Sequence, residues 1–151
     1  MVTVYDVPPE RLIKDVSELL KEKDAIDEPD WAPYVKTGVH KEIGPIQEDW
    51  WYVRVAAVFR KVYLDGPIGI SRLRGEFGGR QRRGAKRSKA AKGSGKIIRE
   101  ALNQLESEGL IAKEDKEGRV VTPEGRSMLD NAAYEIMKEM AKDKPELSKY
   151  L

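Results

Sequence analysis

The chain has no cysteine and a single histidine, His40. Disulfides, thiolate metal sites and histidine clusters are therefore excluded, and a reducing, cytoplasmic setting is expected. No run of about 18 apolar residues occurs, so no membrane span is expected. The opening MVTVYDVPPERLIK lacks the apolar centre of a secretory signal. Aromatic residues are scarce at 7%, yet hydrophobic residues reach 40%, enough for a core in 151 residues. One domain spanning 1–151 is expected. Catalytic signatures are missing as well. No nucleophile or carboxylate motif accompanies His40, which reads as a loop residue that packs or touches a ligand. The stretch Gly79–Lys86 departs from a phosphate loop, because Ala85 follows Gly84 where Lys and then Ser or Thr is required. An enzyme is not expected, and neither is a cofactor or a metal.

Acid is absent where base is densest. Between Arg72 and Arg99 stand eleven Lys or Arg residues and one acid, Glu76, a charge of +10 in 28 residues. The remainder holds 17 bases against 25 acids, or −8, within a total of +2. An acidic body carrying one strongly basic segment implies a localised polyanion site.

What is present is first of all an uninterrupted helix signal. Residues 49–64, DWWYVRVAAVFRKVYL, contain no Gly or Pro and are apolar on every face of a helix. Such a helix is normally enclosed by others, and its length excludes a typical strand. Asp49 is placed to cap it and Gly66 to end it. Its cations Arg54, Arg60 and Lys61 must pair with carboxylates or face an anionic ligand. Trp50 and Trp51 diverge by about 100°, so at least one belongs to the core, leaving the other for base stacking.

The spacing predicts a helix over 6–23, with Pro8 and Pro9 at its start and Leu12, Ile13, Val16, Leu19 and Leu20 on one face. Residues 24–48 read as loop, with a short helix at 30–36 and with Trp31 and Tyr34 as anchors. A short helix is expected over 67–77, with Arg72 and Arg74 facing outward. Residues 78–95 carry five glycines and no apolar side chain beyond alanine, so a flexible basic loop is expected. Ser94 caps a helix to about Glu108, where Lys92, Lys96 and Arg99 cluster near an N-terminus suited to a phosphate. Short strands at 110–113 and 119–122 flank a turn, forming a hairpin. Thr122 and Pro123 start a last helix, whose methionines read as core filler. Residues 142–151 are expected to be loose.

Helix, short helix, loop, helix, hairpin, helix is the order of a winged-helix domain. The expected fold class is mainly α, winged-helix-like, around a central buried helix, with one β-hairpin wing. Two binding functions remain open at this point: an RNA-binding structural protein, or a winged-helix DNA-binding transcriptional regulator.

Several stretches resemble a known family: VTVYDVPPERLI, VKTGVHKE after Trp31, DWWYVRVAAVFRKVYLDGPIG, FGGRQRRG, KGSGKIIREALNQLESEGLI and GRVVTPEGRSMLD. Together they cover nearly the whole chain, which is similar to the archaeal and eukaryotic e-type ribosomal protein nineteen of the small subunit. Its short tail and Lys/Glu content resemble archaeal members. The resemblance implies a structural protein of the subunit head, bound to small-subunit rRNA beside neighbouring head proteins. It also implies support of rRNA maturation and assembly. Arg54 and Arg60 match arginines of the family's central helix. Gly78, Gly79, Arg80, Gln81 and Arg82 match its basic loop, and Lys92 and Arg99 match bases before and on the next long helix. Between Ala85 and Ala91 this chain has KRSKA, where eukaryotic members carry apolar and histidine residues. The full set of expected RNA-binding residues adds Lys61, Arg72, Arg74, Arg83, Lys86, Arg87, Lys89 and Lys96. A monomer is expected when the protein is free.

Overall fold

Trp51 is the pivot of the structure, a computed structural model that describes residues 1–151. It lies on helix α2 (Trp50–Asp65) with none of its surface exposed. Its indole Nε1 donates to Gln104 Oε1 at 3.0 Å, and Gln104 Nε2 donates to the Asp27 carbonyl at 2.8 Å. Trp31 and Trp50 each meet its ring edge-on at 5.7 Å, a favoured aromatic geometry. Three separate parts of the chain thus meet on one side chain.

Around α2 pack α1 (Pro9–Lys21), α4 (Gly95–Ser107) and the strand Gly118–Val121. Helix α1 contributes Leu12, Val16 and Leu20, spaced four apart. Leu19 falls off that stripe and is exposed, contrary to expectation. The predicted 6–23 helix is shorter because Val4–Asp6 forms its own 3₁₀ turn, closed by Thr3 and Asp6. Helix α5 (Pro123–Asp143) starts as expected: Thr122 accepts from Gly125 N, and Pro123 opens the first turn. Leu129, Ala133, Ile136 and Met137 form its buried face. Beyond it Pro145–Tyr150 forms a 3₁₀ turn, and Leu147 packs against the core.

Asp49 does not cap α2. Its carboxylate accepts instead from Lys21 Nζ at 2.9 Å, joining α1 to the start of α2. That hydrogen bond lowers the Asp49 pKa. The turn Ala32–Tyr34 buries Ala32 and projects Tyr34 into solvent, so of the two expected anchors only Trp31 serves.

The short helix α3 spans Ile70–Glu76, since Ile68 is held in a bridge and Gly69 is extended before it. Ile68 exchanges two backbone hydrogen bonds with Arg119, at 3.1 and 2.9 Å. It thereby adds a one-residue third strand to the hairpin of β3 (Ile111–Glu114) and β4 (Gly118–Val121). This completes the winged-helix arrangement anticipated from the sequence. The unanticipated element lies between α3 and α4. There, β1 (Gly79–Arg83) and β2 (Lys86–Ala91) form a second antiparallel hairpin where a loop was expected.

Candidate nucleic-acid interface

The β1–β2 hairpin has the composition of a loop and the hydrogen bonding of a ladder. Gly79 pairs with Ala91, Arg80 with Ala90, and Gln81 with Lys89. A bulge in β2, where Arg87 and Ser88 together stand opposite Arg82, shifts the register, so Arg83 faces Lys86. Gly84 supplies the turn with φ +67°. Gln81, Ser88 and Ala91 lean partly inward, whereas Arg80, Arg82, Arg83, Lys86, Arg87 and Lys89 are all exposed. The bulge breaks strict alternation and spreads cations over more than one face. One local tie is made: Arg83 donates from Nε and Nη2 to the Arg87 carbonyl, at 3.0 and 2.9 Å.

Close packing holds the hairpin at its root. Gly78 lies against the Ala91 carbonyl, leaving no room for a side chain. A Cβ on Gly79 would lie 3.0 Å from His40 Cδ2, and one on Gly38 would lie 2.7 Å from the same imidazole. Gly38 and Gly93 form an isolated bridge, and Ser94 N donates to the Thr37 carbonyl at 3.0 Å. His40 is therefore a packing residue of the root. Its Nδ1 is buried without a partner. Burial, followed by the charges of Lys41, Arg54 and Lys36, lowers its pKa and keeps it neutral.

At the other side of the root stands the N-terminus of α4. Ser94 accepts from Ile97 N, and Gly95 lies between the Arg74 and Arg99 side chains. Arg74 does not face outward as expected. Its Nε donates to the Gly93 carbonyl at 2.9 Å, and it is half-buried. Lys92 reaches Ser71 Oγ at 3.0 Å, Lys96 lies over the Trp31 ring, and Arg72 and Arg99 are open. None of the eleven bases from Arg72 to Arg99 forms an ion pair with a carboxylate.

The three cations of α2 are placed differently. Lys61 is paired within the chain, to Glu76 at 2.9 Å and Asp65 at 3.1 Å. The Glu76 hydrogen bond, with help from Asp65, raises its pKa. Pairing is thus the alternative realised there. Arg60 is half-buried, with its Nε unpartnered. Arg54 lies over the Phe77 ring, 4.7 Å from the centroid, and burial lowers its pKa. Trp50 and Trp51 are both buried, so neither is free for stacking.

Lys36 and Lys41 also border the root, and Lys36 Nζ donates to the Lys41 carbonyl at 3.0 Å. Sequence reasoning passed them over because they stand singly in a mixed-charge loop. Only the VKTGVHKE stretch brought them to notice.

Nothing in this arrangement resembles a catalytic centre. No cluster of three or more metal-ligating side chains is present, and no helix is long and apolar enough to cross a membrane. Comparison with known proteins is decisive. Residues 3–139 match the family described as Ribosomal protein S19e. The chain is 47% identical over 154 residues to small ribosomal subunit protein eS19 of Haloarcula marismortui, covering 99% of both. It is 48% identical over 151 residues to the protein of that name in Thermoplasma acidophilum, covering all of both. Against eS19A of Schizosaccharomyces pombe it is 38% identical over 138 residues, 91% of this chain and 96% of that one. Matches of this extent leave one assignment: the chain belongs to the ribosomal protein S19e family.

Proposed function

We propose that this protein is a non-catalytic structural component of the small ribosomal subunit, working in the cytoplasm as a single domain bound to rRNA in the subunit head. The hairpin and the N-terminal end of α4 are the RNA surface. Arg80, Arg82, Arg83, Lys86, Arg87 and Lys89 grip phosphates from the hairpin, with Arg72, Lys92, Lys96 and Arg99 beside them. Gly78, Gly79 and Gln81 shape the strand that presents them. Arg74 acts from behind by bracing the Gly93 carbonyl. Arg54, Arg60 and Lys61 lie outside this surface, being half-buried or already paired. The same binding supports maturation of the precursor rRNA and assembly of the subunit, beside neighbouring head proteins. The free protein is a monomer whose hairpin stays mobile until RNA holds it.

One observation carries this reading. A dense run of cations is displayed without a single carboxylate partner on a scaffold that is otherwise net acidic. Recognition is of backbone and shape, since an A-form major groove does not admit side chains. The runner-up, a DNA regulator, would read a major groove with α4. The exposed bases of α4 are confined to its first turns, and Glu106 lies near its far end.

The test is the salt dependence of binding to small-subunit rRNA fragments. With about five phosphate contacts, log affinity falls against log salt with a slope of about −4. A slope near −1 would overturn the assignment.

A further inference from the structure

Beside the RNA surface lies a groove of different chemistry. It has a volume of about 530 Å³ and runs between α2 and the 41–47 loop, with Ile13, Trp50, Val53 and Phe77 among its walls. Ile43 and Ile46 form its rim and are 69% and 88% exposed. Together with Ile13, Trp50, Val53 and Phe77 they line one continuous apolar groove, the kind of surface that marks a contact site. Arg54 lines the interior. Its guanidinium rests on the Phe77 face and forms neither an ion pair nor a hydrogen bond.

A desolvated guanidinium without an acid favours an anion. Two anions could meet it, an RNA phosphate or a protein carboxylate, and the walls discriminate between them. A nucleotide needs an aromatic platform and several phosphate contacts. Trp50 is only 7% exposed, and the Phe77 face is covered by Arg54. Arg54 is also the one cation within the groove besides Lys41 at its edge, too few for the successive phosphates of a nucleic-acid strand. An aliphatic side chain, by contrast, fits between Ile43, Ile46 and Val53.

We infer that this groove is a docking site for a protein neighbour, seating an apolar peptide segment whose Asp or Glu carboxylate pairs with Arg54. The two ends of the site divide the work. The isoleucine rim buries aliphatic surface, and Arg54 fixes register through a charge-assisted bond. The site is separate from the hairpin, so RNA and peptide bind together.

Two experiments test this, the first independent of the ribosomal reading. The free full-length chain, labelled at isoleucine and valine methyls and at arginine Nε, is titrated with 4-methylpentanoate, 4-methylpentanamide and adenosine 5′-monophosphate. The carboxylate is expected to shift Ile43, Ile46, Val53 and the Arg54 Nε–H, and the amide to bind at least about tenfold more weakly. Equal binding of the amide, or preferential binding of the nucleotide at these resonances, overturns the proposal.

The second experiment rests on the ribosomal reading. Ile46 is replaced by p-benzoylphenylalanine, and the protein is irradiated within purified small subunits. The expected product is a protease-sensitive adduct whose cross-linked peptide is apolar and bears Asp or Glu. An RNase-sensitive adduct, or none, overturns the groove assignment while leaving the RNA surface standing. Failure of the unsubstituted chain to enter subunits would instead count against the proposed function.

Discussion

The molecule contains two antiparallel hairpins of similar size built on opposite principles. The β3–β4 wing is anchored at every level. Leu110 and Ile111 are buried, Ile68 adds two backbone hydrogen bonds, and Arg119 pairs with Glu106 at 3.0 Å. Its tip, KEDKEG, mixes two bases with three acids, so no positive field projects from it. The β1–β2 hairpin has no buried apolar residue and no acid. An isolated two-stranded hairpin is marginal in water, so this one depends on its glycine root. The same backbone pattern is used once to complete a core and once to carry charge outward.

The sharpest way to break that contrast is to neutralise each hairpin. Replacing Arg80, Arg82 and Arg83 with Ala should weaken binding to an rRNA fragment on the order of a hundredfold and reduce the salt slope to about −2, by filter binding. Thermal unfolding should move little, because the side chains are exposed, free of ion pairs, and tied to the fold only by the Arg83 hydrogen bonds to the Arg87 carbonyl. Lys113→Ala with Lys116→Ala on the wing should leave the slope unchanged. Equal losses from the two sets would erase the functional distinction.

A second comparison is structural. Gly118 has φ +119°, and a Cβ there would lie 2.5 Å from the Ile68 carbonyl. Gly118→Ala should cost about 2 kcal/mol or more in denaturant unfolding, by straining the backbone and parting Ile68 from Arg119. Gly84 has φ +67° but open space around it. Gly84→Ala should cost about 1 kcal/mol locally, with the global midpoint unmoved, since little of the core depends on that turn.

Alkaline titration tests the scaffold alone. Tyr63 donates to Asp130 at 2.8 Å, and burial followed by that bond pushes its pKa up to about 12 from 10.0. The neutral form is favoured in the folded state. The contribution to stability is therefore complete below pH 10 and lost as pH rises toward 12. Tyr63→Phe should remove that phase of the stability profile without changing RNA binding. The smallest effect expected is that of Arg119→Ala, about 1 kcal/mol, because its ion pair with Glu106 is only partly buried.

Much of this contrast was legible in the sequence. Leu110–Lys113 and Arg119–Thr122 carry β-branched or apolar residues around a turn, so the wing was readable from local preference. The other hairpin was not, because GRQRR and KRSKAA have weak strand propensity. Their pairing follows from contacts distant in sequence, at Gly38 and His40, that hold the root in place. The central helix was plain from its length and composition. The roles of Asp49 and Lys61 were not, since each depends on a partner on another element: Lys21 and Glu76. For the interface, sequence located the cationic block but not the inward turn of Arg74, which needs the Gly93 carbonyl brought beside it.

The tight fit of His40 against Gly38 and Gly79 gives the arm a fixed shoulder. The strands beyond it can still move, but the base of the arm cannot shift toward the ring without driving backbone into the imidazole. The angle of approach is thus written into a neutral ring and a few missing side chains. A single methyl added at position 38 would stand 2.7 Å from that ring and force it, and with it the base of the arm, to a new position.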